Sequence, residues 1–425
     1  MQTTWQKTVL VAATLAMAAC GSSSSNPTPD SGVQNINPTF NLPFTPTTSV
    51  PRQIQVLYSG ETLGDVGLPY PSSCPTGNDA PPFFVDGWSV FIDEYLVVVG
   101  NIRLTPNAAQ FPQENLLNSP PVATKAGPYV FDGHKGIQGF VSTDGVSPAG
   151  PIFAWNQQDN GQAFSTTEQY AFSYDIVAAS YPVTQVNLTS AQFADYDLMV
   201  QRGWSKYVKG HAVFAGTTGA GTYPPNASVA AKFNALQSPI YFTFGWNDSG
   251  GVLNCNNPEL GFTGEDQPST RGIKPSPTGS VPAQVTLHVD HIFWDTQLQE
   301  GTPLRFDQVA GWAVPPLGTQ AQPIAINTLN KLTGTLAATF ADGTPMPDRG
   351  LYQPASPGCY DQSNQSNPAQ LTLNLNGVPA ANIHNLADFM AFSAQAQMHM
   401  NADGLCYEVG QHAPDPWYLP GLPTP

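Results

Sequence analysis

Residues 288–295 read HVDHIFWD, two histidines and two carboxylates within one short stretch of a 425-residue chain that holds seven histidines in all. Imidazole nitrogen with carboxylate oxygen is a donor set for Zn²⁺, Cu²⁺ or Mn²⁺, and three protein ligands with an open position are common at functional sites. The sequence QVTLHVDHIFW alternates as a strand does, and side chains two apart on a strand share a face. Val285, Leu287, Val289, His291 and Phe293 then make a mostly apolar inward face, while Thr286, His288, Asp290, Ile292 and Trp294 make the other. On a regular strand His288 and Asp290 can hold one ion together, and His291 joins them only through a bulge near Asp290. Each also has a plain structural reading, His291 as a satisfied core histidine and His288 with Asp290 as an exposed cross-strand pair.

The elements that must position these residues are short and β-like. Forty-two prolines and 38 glycines punctuate the chain. Between them lie runs rich in Val, Phe, Tyr, Ile and Thr, at 88–104, 169–177, 206–216 and 239–246. Such runs separated by Gly/Pro/Asn loops predict a mainly β fold, an antiparallel β-sandwich with a few short helices and a C-terminal extension. One helix is expected at about 191–202, capped by Ser190 and stopped by Gly203. A second is expected at 386–399, where Asn385 and Asp388 form a capping-box-like start. PPLGTQAQP, around 315–325, reads as a boundary between a sandwich at 51–314 and an extension at 315–425 with a disulfide of its own.

Residues 1–19 carry one early cation, Lys7, then an apolar core and small residues before Cys20, the pattern of a secretory signal. MAAC resembles a bacterial lipobox, which implies that Cys20 is lipidated and that the mature protein is an outer-membrane lipoprotein facing the periplasm or the cell surface. Residues 20–50 are rich in Ser, Pro, Asn and Thr and almost uncharged, a composition expected of a disordered tether. Fourteen Lys and Arg stand against 30 Asp and Glu, a net charge of −16, which disfavours a nucleic-acid partner. The membrane, through the lipid, is the partner the sequence points to, and no protein partner is legible. Besides Cys20, the four cysteines Cys74, Cys255, Cys359 and Cys406 make an even count for an oxidising compartment. Their positions along the chain suggest the pairs Cys74–Cys255 and Cys359–Cys406.

TLHVDHIFWD followed by LRFDQVAGWA resembles an uncharacterised family of bacterial secreted lipoproteins that carry an H-x-D-H-x-F strand and a later F-D-x-x-A segment. SGETLGDVG (59–67), VDGWSVFIDEYLV (85–97), GPYVFDGHKG (127–136), YAFSYD (170–175), VNLTSAQFADYDLMVQRGW (186–204), NCNNPE (254–259) and MNADGLC (400–406) match in the same order. The resemblance brings no assigned activity, but it nominates His134 as a companion of the 288–291 segment, with His399 as a further candidate. Residues 170–216 also resemble the β-sandwich of secreted copper-binding proteins, whose W-x-H motif is absent here.

No G-x-S-x-G, H-E-x-x-H or P-loop occurs, so the common hydrolase and nucleotide signatures are missing. NADG (401–404) and ADGTPMPD (341–348) lack the ligand ladder of a calcium loop and read as turns. The expectation is a lipid-anchored, extracytoplasmic β-sandwich that binds copper or zinc through His134, His288, Asp290 and His291 without catalysis. The alternative is a cell-surface interaction or carbohydrate-binding module, with structural histidines and with Trp88, Trp155, Trp204, Trp246 and Trp294 as sugar platforms.

Overall fold

The computed structural model describes residues 34–36, 50–71, 83–108, 119–215, 227–236, 238–264, 267–297, 302–329, 336–349, 370–377, 383, 385–394 and 398–410. The signal segment 1–19, Cys20, Cys74 and Cys359 lie outside them. The apolar runs become strands and the chain builds two sheets. In chain order the strands are β1 (Gln34–Ile36), β2 (Ile54–Ser59), β3 (Trp88–Thr105), β4 (Ala123–Lys125), β5 (Tyr129–Asp132), β6 (Gly150–Trp155), β7 (Ala171–Ile176) and β8 (Thr184–Val186). They continue with β9 (Lys206–Phe214), β10 (Ile240–Trp246), β11 (Gly250–Leu253), β12 (Val281–Leu287), β13 (Ile324–Ala325), β14 (Met398–Met400), β15 (Gly404–Leu405) and β16 (Tyr407–Gly410).

The smaller sheet has the order β15-β14-β12-β2-β6, and the remaining strands form the larger one around β3. The mainly β, two-sheet sandwich is therefore present, with mixed rather than purely antiparallel pairing. β12 runs parallel to β2, β8 to both β1 and β5, and β13 to β10. Parallel neighbours need long crossovers, and here the crossover from β2 to β12 is most of the larger sheet. β1 falls within the segment expected to be a tether and adds a strand beside β8. The stretch read as a C-terminal extension also enters both sheets, β13 and β16 in the larger and β14 and β15 in the smaller.

One apolar core is shared by the facing sheets, with Tyr58 stacked on Phe131 at 4.5 Å between ring centroids. Along β3, Tyr95, Val97 and Val99 point into it, while Leu96 and Val98 face a second cluster with Tyr196 and Met199. Those two belong to the helix Phe193–Arg202, which covers the outer face of the large sheet. Burial on both faces explains why EYLVVVG reads as continuously apolar. That helix follows a 3₁₀ turn at Ser190–Gln192 capped by Thr189 rather than Ser190, and Gly203 ends it in a left-handed conformation. The later helix starts where Asn385 accepts from the Asp388 amide but ends at Ser393, because Met398–Met400 is drawn into pairing with β12.

Conserving charge inside this core takes a closed network. Asp307 is fully buried and accepts from the Trp88 indole at 2.8 Å and from Arg349 Nε at 2.6 Å. Asp86 accepts from the amides of Phe306 and Asp307, both at 2.7 Å, while burial and the neighbouring Asp307 push its carboxyl up from the usual range. The F-D-x-x-A segment and the VDGW of 85–88 are thus one structural joint.

The cysteine pairing differs from expectation. Cys255 is bonded to Cys406, because β11 and β16 pair with Leu253 opposite Tyr407 and bring the following and preceding residues together. Chain distance misled here; the bridge spans a separation of 151 residues. Non-reducing peptide mapping should recover a Cys255–Cys406 peptide, and replacing both by serine should cost about 2–5 kcal/mol in denaturant unfolding. Asp307→Ala should cost about 3–5 kcal/mol in the same assay, since it strands the buried Arg349 guanidinium.

Candidate metal centre

The strand that carries the opening motif stops one residue before it. β12 ends at Leu287, His288 caps the next turn in an extended conformation, and Val289–Phe293 is a 3₁₀ helix. The expected strand through residue 293 is therefore corrected. A 3₁₀ helix has about three residues per turn, so side chains three apart lie one above the other. That spacing, not a bulge, brings His291 round to His288.

One donor atom from each of His288, Asp290 and His291 lies within 4.8 Å of the others. Ligands of a tetrahedral zinc sit roughly 3.3 Å apart at bond lengths near 2 Å, so modest side-chain rotation closes the group around an ion. Asp290 is 6 % and His291 3 % exposed. Asp290 Oδ1 and His291 Nδ1 are buried and make no hydrogen bond. Buried polar atoms are nearly always paired, and exceptions point to a water or ion. The other carboxylate interaction of Asp290 is with the Trp294 side chain, whose ring stacks on His291 at 3.8 Å.

His288 meets a residue absent from the expected set. Its Nε2 lies 3.1 Å from Glu61 Oε2, close enough to pair as charges although the N–H is not aimed at the oxygen. Glu61 opens α1 (Glu61–Val66) and holds φ at +55°, in the left-handed region that a residue with a Cβ rarely adopts. Its amide donates to Ser59 Oγ at 2.9 Å. Gly60 is required beside it, since a Cβ there would meet the Gly133 carbonyl oxygen at 2.4 Å. His399, on β14, stacks its ring on His288 at 4.1 Å and so fixes the plane of that imidazole.

The structure does not bring His134 into the cluster. Its Nδ1 lies 2.6 Å from the Gly64 carbonyl oxygen, so the ring ties down α1 instead. His211 is remote from this chemistry and contacts Asp93 at 3.0 Å on the surface. Glu61 and Asp403 are the functional neighbours that reading the sequence missed. They lie in SGETLGDVG and MNADGLC, and neither has a metal-type partner close in sequence.

Charge is divided unevenly. Burial disfavours a charged His288 ring, but Glu61, Asp290 and Asp403 outweigh it and push its pKa up to about 9. Burial, with the nearby His288, His399 and Lys206, holds His291 well below the ordinary histidine range. Burial raises Asp290, with His288 opposing. The nearby carboxylates thus favour a proton on His288, while burial and the neighbouring cations favour a neutral His291.

No protein-family model, curated protein or solved structure matches this chain. What the geometry defines is a two-sheet β protein with a His/Asp/His group at the end of a strand.

The His288 pKa lies above the unfolded value of about 6.5, so its stabilising contribution is full below that pH and fades as pH rises through about 9. In chelator-treated protein, wild type should lose on the order of 3 kcal/mol relative to His288→Gln between pH 6.5 and 10, read from paired denaturation curves.

Proposed function

We propose that this protein is a lipid-anchored, extracytoplasmic β-sandwich that binds a transition metal, zinc or copper, through His288, Asp290 and His291, and does so without catalysis. The observation that carries this reading is the convergence of buried, unbonded donor atoms from Asp290 and His291 beside a histidine already surrounded by carboxylates. A cation there replaces the proton on His288 and satisfies atoms that protein groups leave unsatisfied. The donors are nitrogen and oxygen, which suits Zn²⁺ and Cu²⁺.

The cellular address rests on residues 1–50, with Cys20 as the lipidated residue and the segment after it as a spacer. The Cys255–Cys406 disulfide fits an oxidising compartment. The sugar-platform alternative finds little to stand on. Trp88, Trp155, Trp246 and Trp294 are buried, and Trp204 lies over Gly245 and stacks on Tyr207. The large apolar side chains that stand exposed among the described residues are valines.

Mass spectrometry of the purified mature protein should find about one zinc or copper ion per chain, removable by chelator. His291→Ala and Asp290→Ala should lose it. His134→Ala should keep the ion with weaker affinity, roughly 10–100-fold as for an outer supporting residue. Equal metal content in wild type and His291→Ala overturns the reading.

A further inference from the structure

We propose that Glu61 is the fourth ligand, closing a shell of two imidazoles and two carboxylates that takes a divalent, zinc-like cation. This rests on the reading above and narrows it, by assigning a ligand outside the 288–291 segment and a class of ion.

The distance is that of two ligands sharing one ion. Glu61 Oε2 and His288 Nε2 are 3.1 Å apart, against roughly 3.3 Å between neighbours in a tetrahedral zinc shell. Without an ion the two atoms form a close ion pair, and a cation between them would take over the contact that the His288 proton makes with Glu61. The second Glu61 oxygen, Oε1, is also buried without a hydrogen bond. Glu61 is thus a further side chain with unmet bonding capacity, beside His288 and outside the 4.8 Å group of His288, Asp290 and His291. Its carboxylate has to swing toward that group to share the ion.

The backbone holds Glu61 there at a cost. A left-handed φ on a non-glycine residue is strained, and such strain persists where surrounding contacts over-determine it. Those contacts are present: Ser59 Oγ accepts from the Glu61 amide and donates to the Pro148 carbonyl at 2.8 Å. Thr62 and Ser147 hydroxyls meet at 2.9 Å, and His134 ties the middle of α1. The six-residue helix is thus fastened on each side of the carboxylate it presents.

Charge selects the ion. Two carboxylates with two neutral imidazoles carry a charge of −2, which a divalent cation neutralises and a monovalent one does not. A neutral complex is the one that a largely buried site tolerates at least desolvation cost. The shell offers no sulfur, so Cu⁺ has no soft donor in it. Four protein ligands also leave no open position, the arrangement of structural or storage zinc rather than catalytic zinc.

Cobalt(II) reports coordination number directly and tests this on the whole mature chain. Wild-type protein loaded with one Co²⁺ should show the intense visible bands of a four-coordinate ion, unchanged by added azide because no ligand position is free. Glu61→Gln should weaken Zn²⁺ binding by about a hundredfold or more, beyond what loss of an outer partner gives, and should shift the cobalt bands and make them azide-sensitive, because water takes the vacated position. A Glu61→Gln spectrum identical to wild type overturns the proposal, even where affinity drops. So does an azide-sensitive wild-type spectrum, which needs no variant to fold. In both of those cases loss of binding in His291→Ala leaves the three-residue site standing. Failure of wild type to take up Co²⁺ or Zn²⁺ at all removes the site and the fourth ligand together.

Discussion

The parallel register of β2 against β12 sets where everything else in the site can be. Ile54 pairs with Val281 and Ser59 with Thr286, so the two strands leave their sheet at the same edge and in the same direction. Beyond that edge one chain continues into Gly60 and Glu61, the other into Leu287 and His288. β14 runs antiparallel on the other side of β12 and places His399 opposite Thr286. Three segments far apart in sequence therefore deliver their polar residues to one rim. A slip of one residue in either pairing would turn those side chains to the opposite face.

Close packing converts that shared edge into a site. The Gly60 backbone lies against the Gly133 carbonyl, and Gly64 approaches the same oxygen. His134, the residue after Gly133, closes the contact by holding the Gly64 carbonyl. The turn at 132–136 is itself anchored through Asp132, whose carboxylate accepts from the amides of Tyr95 and His134 and from Gln192. Large and small sheets are locked together where α1 begins. Segments 59–67, 127–136 and 186–204 meet in this joint.

Several buried charged groups here sit in well-bonded networks, while other buried polar atoms, such as both side-chain amide atoms of Gln185 and the Trp155 indole nitrogen, make no hydrogen bond. Lys206 and Asp248 pair at 2.6 Å with Ser205 completing the carboxylate, and Asp307 is fully engaged by Trp88 and Arg349. Such closed networks cost desolvation but leave little unmet, and they specify how the sheets fit. Asp86 and Glu94 keep one unbonded oxygen each within such networks, and their neighbours are otherwise bonded. At the end of β12 the balance is different, because unbonded donors from several side chains face one another. Local rules broken together in one spot mark the places where a fold has accepted a cost for function.

Much of this was legible along the chain. Gly/Pro punctuation and β-branched runs determined the mainly β class and the positions of β3, β7, β9 and β10, because strand patterning is local. The start of the later helix was readable from its Asn385 cap for the same reason, whereas the earlier one was expected at Ser190 and is capped one residue before, at Thr189. HVDHIFWD gave three donors of the cluster by composition, but its alternating pattern pointed to a strand, whereas in the fold it is a 3₁₀ helix packed against the helix Leu386–Ser393 and α1, with His291 over His288. The partner of Cys255, the role of His134 and the arrival of Glu61 were decided by tertiary structure alone. Each depends on contact between segments 70 or more residues apart, and such contact leaves no trace in the spacing of the residues it joins.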